Sequence, residues 1–221
     1  MNPAPTTQTQ SESPRSISRE DMAKLPIRRY EGRVRLVATP EELEEARADL
    51  KQESIVGFDT ETRPAFKKGE SHLPALVQVA TARAVYLFQL RRTEVHPLLA
   101  RLLSEARTVK AGISLKDDLR ALKQVFAFTE ENILDLGIVA RRSGFAQTGV
   151  RNLAGILLGF RIPKGTKTSN WAARELSAAQ ITYAATDAWA CRELYLRFES
   201  LGLLRPPTES GAACGSLEAL K

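Results

Sequence analysis

The most constraining feature of this sequence is segment 54–63, SIVGFDTETR, in which an apolar run leads directly into two acids. A short apolar run of this kind predicts a buried central strand over residues 54–59. Because strand side chains alternate between faces, Asp59 and Glu61 would share one face, roughly 7 Å apart. Two carboxylates in such a place repel each other unless a cation lies between them. The motif is short, however, and taken singly it is better explained by two acids at a solvent-exposed strand end.

The chain around this segment alternates strand-like and helix-like stretches. Strands are predicted at residues 33–38, 54–59, 75–80, 84–90 and 108–112, and helices at 40–50, 95–104, 115–126, 135–143, 153–158 and 178–200. This order predicts an α/β protein with three layers, a central mixed β-sheet flanked by helices. Residues 1–29 are rich in Pro, Thr, Gln and Ser and predict a disordered tail, and 206–221 predict a second flexible tail. One domain would then occupy residues 30–205.

Two further acids lie at helical positions where their surroundings can be predicted. In helix 115–126 an apolar stripe faces the sheet, which leaves Asp117 on the opposite, solvent side and Asp118 at the flank of the stripe. Asp118 is therefore the candidate site residue. In helix 178–200, Tyr183 and Asp187 share an otherwise apolar face. A buried carboxylate needs a partner, which is either a metal ion or one of the many arginines.

The motifs FDTET (58–62), KAGISLKDDLRAL (110–122) and YAATDA (183–188), the last preceded by Trp171, Leu176 and Gln180, occur together and in order. Over residues 33–200 the chain resembles the DEDD exonuclease superfamily, in the tyrosine-containing DEDDy branch that includes ribonuclease D and the Werner exonuclease domain. The resemblance implies an RNase H-like fold and 3′→5′ exonuclease activity. It also implies that Asp59, Glu61, Asp118 and Asp187 bind two divalent metal ions, Mg²⁺ or Mn²⁺, and that Tyr183 holds the attacking water.

A basic charge balance supports a nucleic-acid partner. The chain has 32 Lys and Arg against 26 Asp and Glu, and segment 136–174 contains no acid at all. A solvated basic surface would look the same, but beside a carboxylate site this segment is a candidate path for a single-stranded 3′ end, of DNA or RNA. The candidate substrate contacts are Phe66, Lys164, Lys167, Trp171 and Arg174. Trp171 either stacks on a base or anchors its loop, and the packing role is favoured.

Several classes of protein are disfavoured. Cys191 and Cys214 lack metal-ligand spacing, and His72 and His96 are too isolated for a zinc site or for the histidine-containing branch of the superfamily. There is no secretory signal and no apolar run of membrane-spanning length, so we expect a cytoplasmic protein without a membrane partner. Three alternatives stay open: an oligonucleotide or dinucleotide phosphodiesterase, a catalytically silent nucleic-acid-binding module, and an RNase H-like endonuclease. The oligomeric state is also open.

Overall fold

The computed structural model describes residues 15–65, 67, 69–165 and 169–204. The strands are β1 (Arg33–Leu36), β2 (Ile55–Thr62), β3 (Pro74–Ala80), β4 (Ala84–Gln89), β5 (Val109–Gly112) and β6 (Ile133–Asp135). The helices are α1 (Arg19–Lys24), α2 (Pro40–Leu50), α3 (His96–Leu103), α4 (Leu115–Leu122), α5 (Leu136–Arg142), α6 (Val150–Leu153) and α7 (Ala178–Ser200). A 3₁₀ turn (Thr93–Val95) precedes α3, and a π-helical turn (Ala154–Leu158) continues α6.

The six strands form one mixed sheet in the order β1-β4-β3-β2-β5-β6. The central strands β2, β3 and β4 pair antiparallel, whereas β1 lies parallel to β4, β5 parallel to β2, and β6 parallel to β5. This arrangement confirms the mixed sheet that the sequence predicted. The strand that carries Asp59 and Glu61 is central, so its side chains meet helices on both faces.

The helices cover both faces of the sheet. Helices α2, α3 and α4 pack on one face against buried side chains that include Phe58, Val77 and Val79. Helix α7 covers the opposite face, where it contacts Leu76 and Leu87, and α5 and α6 pack beside it. The alternation along β2 therefore sends Phe58 towards α4 and its neighbours Gly57 and Asp59 towards α7. This three-layer arrangement is the one predicted from the sequence.

Two strands, β2 and β6, and one helix, α4, differ clearly from the sequence prediction. Strand β2 continues to Thr62 rather than ending at Asp59, because β3 pairs with it as far as Pro74. Helix α4 ends at Leu122, four residues before the predicted end at 126. The three-residue strand β6 is too short to be predicted from an apolar run in the sequence. It is a strand because its backbone pairs in parallel with β5.

The structure also differs from the predicted disordered tail, because residues 15–29 are described and contact the domain. They contain α1, whose N-cap Ser18 accepts a hydrogen bond from the Asp21 amide. A parallel bridge then joins Ile27 to Arg161. Residues 1–14 and the predicted second tail, 206–221, lie outside the described residues. Within the described part of the chain, no helix combines the length and apolar character needed to cross a membrane.

Candidate active site

Three of the four predicted carboxylates meet between the sheet and α7. Asp59 and Glu61 on β2 and Asp187 on α7 each offer an oxygen, and these oxygens lie within 4.8 Å of one another. Asp187 is only 5% exposed and Glu61 only 9% exposed. Strand alternation places the first two on one face, and the helix crossing brings the third onto them. The cluster thus joins two neighbouring acids of β2 to a third that lies more than a hundred positions later in the chain.

Gly57 explains how α7 approaches β2 so closely. A Cβ atom at this position would lie 2.0 Å from the carbonyl oxygen of Ala188 and 2.8 Å from the amide nitrogen of Arg192. Only a residue without a side chain allows the helix backbone to rest on the strand here. Since Ala188 follows Asp187 directly, this contact sets the distance between Asp187 and Asp59.

Asp118 stands apart from the other three acids. It lies on α4, which packs on the opposite face of the sheet, and it does not belong to the group of oxygens within 4.8 Å of one another. Its half-buried carboxyl has its pKa raised by burial, and the hydroxyl of Thr60 partly offsets that increase. Asp117 is exposed and pairs with Arg120 at 2.8 Å, as the helical geometry predicted. Asp118 is therefore near the cluster but not within it.

The electrostatics of Asp59 favour a positive charge beside it. Burial raises the pKa of Asp59 well above its ordinary value, and the charges of Asp187, Glu61 and Asp118 raise it further. All three of these charges are negative, and only a backbone N–H of Thr60 acts in the opposite direction. A divalent ion would reverse this repulsion, and a site made of carboxylate oxygens suits hard cations such as Mg²⁺ and Mn²⁺. The donor set therefore fits the metal site that the sequence predicted.

Tyr183 lies one helical turn before Asp187 and borders the cluster. Burial raises the pKa of its phenol, as do the charge of Asp187 and a hydrogen bond to that residue. The hydroxyl therefore keeps its proton at neutral pH and acts as a donor. Its ring packs 6.0 Å from the Trp171 ring, and a Cβ at Gly165 would overlap the Tyr183 ring at 1.7 Å. The loop before α7 thus holds this side chain on two sides.

The predicted substrate contacts differ in their exposure to solvent. Trp171 has no exposed surface, so it has no free face for a base, and the packing role is the one that the structure supports. Lys164 and Arg174 are exposed and are free to reach a ligand. The backbone oxygen of Arg174 accepts a hydrogen bond from Arg91 at 3.1 Å, which ties the loop to the end of β4. Phe66 and Lys167 lie outside the described residues.

Gln78 is a neighbour of the site that was not predicted from the sequence. It pairs directly with Asp59 across β2 and β3, so both side chains point to the same face. It is fully buried, and neither of its amide atoms has a hydrogen-bond partner within the described part of the chain. The available signal was a single polar residue inside the otherwise apolar strand PALVQVA. Gln78 therefore lies buried on the face of the sheet that carries Asp59, but it makes no hydrogen bond to that carboxylate.

Comparisons with known proteins identify the same family that the sequence motifs resemble. A family model described as 3′-5′ exonuclease matches residues 34–202. The mouse bifunctional 3′-5′ exonuclease/ATP-dependent helicase WRN is 31% identical over 159 residues, covering 69% of this chain and 11% of that protein. Ribonuclease D of Gluconacetobacter diazotrophicus is 32% identical over 164 residues, covering 72% of this chain and 41% of that protein. The chain thus spans less than half the length of either relative.

A solved structure supports the same fold. The EXO domain of Aedes aegypti Nibbler superposes with a TM-score of 0.68 at 26% sequence identity, covering 79% of this chain and 91% of that chain. Its coverage shows that the match takes in nearly a whole exonuclease domain. The RNase H-like arrangement implied by the sequence motifs is thereby confirmed.

Proposed function

The chain belongs to the 3′-5′ exonuclease family, and from this premise we propose that it hydrolyses the terminal phosphodiester bond at nucleic-acid 3′ ends and releases nucleoside 5′-monophosphates. One observation supports this proposal most strongly. Asp59, Glu61 and Asp187 bring three carboxylates within 4.8 Å of one another, an arrangement that a divalent cation stabilises. A catalytically silent binding module would have no need to keep this repulsive cluster.

In the proposed reaction, the acidic residues would bind the metal ions and Tyr183 would position the water. Asp59, Glu61 and Asp187 would hold one ion, and Asp118, apart from them on α4, would help to hold a second. We propose Mg²⁺ or Mn²⁺, since every candidate ligand is a carboxylate oxygen. When bound, such ions supply an activated water and stabilise charge on the phosphoryl and leaving oxygens. Tyr183, whose hydroxyl donates to Asp187, would accept a hydrogen bond from the attacking water and so orient it.

Removal and return of metal tests this assignment. Purified protein stripped with EDTA should release no mononucleotide from a 5′-labelled single strand, and Mg²⁺ or Mn²⁺ should restore a ladder that shortens from the 3′ end. Internal cuts would point to an endonuclease, and turnover of dinucleotides alone would point to a small phosphodiesterase. Activity that is indifferent to EDTA would overturn the proposal. Matched RNA and DNA strands in the same assay determine the preferred sugar, through contacts to the 2′-hydroxyl.

Substituting Tyr183 by Phe should slow the reaction without abolishing it. The ring still fills the space between Trp171 and Gly165, but the hydroxyl that would orient the water is gone. We expect kcat to fall by about 10–100-fold, at or below the low end of proton-transfer effects, with KM nearly unchanged. Steady-state kinetics on a short oligonucleotide measures both parameters. A variant with wild-type kcat would show that Tyr183 has only a packing role.

A further inference from the structure

The N-terminal segment, residues 15–30, lies outside the stretch matched by the family model, yet it packs along the α6–α7 side of the domain. Ile17 exchanges two hydrogen bonds with the side chain of Gln147, at 3.1 Å each. The Arg161 amide donates to Pro26 at 2.9 Å, and the Arg28 amide donates to Arg161 at 3.1 Å. We call residues 15–30 the N-terminal strap. Backbone hydrogen bonds on both sides of Ile27 hold the strap against the segment that contains Arg161.

The strap ends on the helix that carries Asp187. The amide of Tyr30 donates a hydrogen bond to the hydroxyl of Thr186 at 3.0 Å, one residue before Asp187. The ring of Tyr30 lies 5.9 Å from that of Trp189, which in turn stacks on Phe160 at 5.4 Å. This anchor fixes the backbone next to Arg29. The side chain of Arg29 therefore starts from a defined point beside α7.

A cavity of about 570 Å³ opens between the strap, the loop before α7 and the first turns of α7. Its walls include Arg29, Lys164, Gly165, Thr182 and Tyr183. The volume falls in the range of small-molecule and cofactor pockets, roughly 300–1,000 Å³. Since Tyr183 also borders the carboxylate cluster, one ring separates this cavity from the candidate active site.

Among the described residues that line this cavity, two carry a positive charge. Arg29 and Lys164 are exposed, and neither makes an ion pair with any residue in the described part of the chain. The other described residues that line the cavity are uncharged, so this part of the wall has a positive character. A phosphate group matches the sign of this site, and the cavity has room for the nucleotide that carries it.

Building on the proposed function, we propose that the strap completes a phosphate subsite in which Arg29 and Lys164 bind a backbone phosphate of the substrate strand next to the scissile bond. Lys164 lies within the stretch that the family model matches, whereas Arg29 lies in the strap outside it. The subsite adds a contact to the substrate strand outside the carboxylate cluster. It also makes the N-terminal segment part of the substrate-binding surface.

The salt dependence of binding tests this subsite. Binding of a fluorescent single strand is measured in EDTA at a series of salt concentrations for wild type, Arg29→Gln and Lys164→Gln. Each phosphate contact contributes about 0.7 to the slope of log affinity against log salt for single strands. Because the two side chains share one phosphate, we expect each variant to lower the slope by up to about 0.7 and to weaken binding about 5–10-fold at low salt. The matched control, Arg101→Gln, removes an exposed charge from α3 on the other side of the sheet and should change neither value.

The outcomes separate this inference from the proposed function. If wild type cleaves the strand but Arg29→Gln shows the same slope as Arg101→Gln, the subsite is refuted while the exonuclease assignment stands. An unchanged slope with weaker inhibition by a nucleoside monophosphate would assign the cavity to the released product and overturn the strand contact. If wild type binds the strand with the expected slopes but never cleaves it, only the proposed function fails. Thermal midpoints confirm that each variant is folded.

Discussion

Replacing Asp187 by Asn will abolish mononucleotide release and leave the metal-free protein at least as stable as wild type. The side chain keeps its shape but loses the charge that it brings to a cluster of three carboxylates within 4.8 Å of one another. Metal ions stabilise the transition state by several kcal/mol, so losing one ligand should lower kcat by about 10³-fold or more. Relief of like-charge repulsion by about 1 kcal/mol would raise Tm by roughly 2–4 °C in EDTA.

The pH dependence of stability adds a second measure of the same repulsion. Because the pKa of Asp59 is raised in the folded protein, the folded state holds its proton more tightly than the unfolded state does. The contribution of Asp59 to metal-free stability should therefore fall as pH rises from the ordinary value of 3.8 through the raised pKa, and then level off. Asp59→Asn removes this contribution. The Tm of Asp59→Asn minus that of wild type, measured in EDTA, should become more positive across that window.

Asp117→Asn is the matched control for these substitutions. Asp117 carries the same carboxylate one residue from Asp118, but it is exposed and pairs with Arg120. Removing its charge should leave kcat, metal dependence and Tm close to wild type, because exposed ion pairs contribute about 0–1 kcal/mol. Equal losses of activity for Asp117→Asn and Asp187→Asn would contradict the assignment, since a general charge effect would then explain both.

Local patterns in the sequence were sufficient for much of this site. Strand alternation placed Asp59 and Glu61 on one face, and the register of β2 against β3 bears that out. The apolar stripe of α4 correctly separated exposed Asp117 from half-buried Asp118. Both predictions depend only on the period of a single element. They succeed because the buried face of each element is defined by apolar residues close together in sequence.

Other features could not be predicted from the sequence because they depend on how distant segments pack. The periodicity of α4 indicates that Asp118 is at the flank, but it does not show that α4 lies across the sheet from α7. The composition of residues 15–29 predicted disorder, yet this segment gains order from hydrogen bonds to Gln147 and Arg161, more than a hundred residues away. Propensity describes a segment alone, and here tertiary contacts override it.

Gly57→Ala should disable the site without touching a single carboxylate. The new methyl group would lie 2.0 Å from the Ala188 carbonyl oxygen, so α7 must move away from β2. The obstacle is backbone, which cannot rotate aside as a side chain does. We expect a loss of stability of about 2–3 kcal/mol, towards the upper end of overpacking effects, or a Tm lower by about 5–10 °C. Misplacing Asp187 by about 1 Å should cost on the order of 10²-fold in kcat.

Gly149→Ala separates this steric effect from the general consequence of replacing glycine. Gly149 precedes α6 with an extended backbone, and a Cβ there meets nothing within 4 Å. Its substitution should change stability by less than about 1 kcal/mol and leave kcat unaltered. At a temperature where Gly57→Ala is still folded by circular dichroism, its activity should remain depressed and its metal affinity weakened. Normal kcat in that folded variant would mean that α7 can shift without moving Asp187, and the close crossing at Gly57 would then have no part in assembling the site.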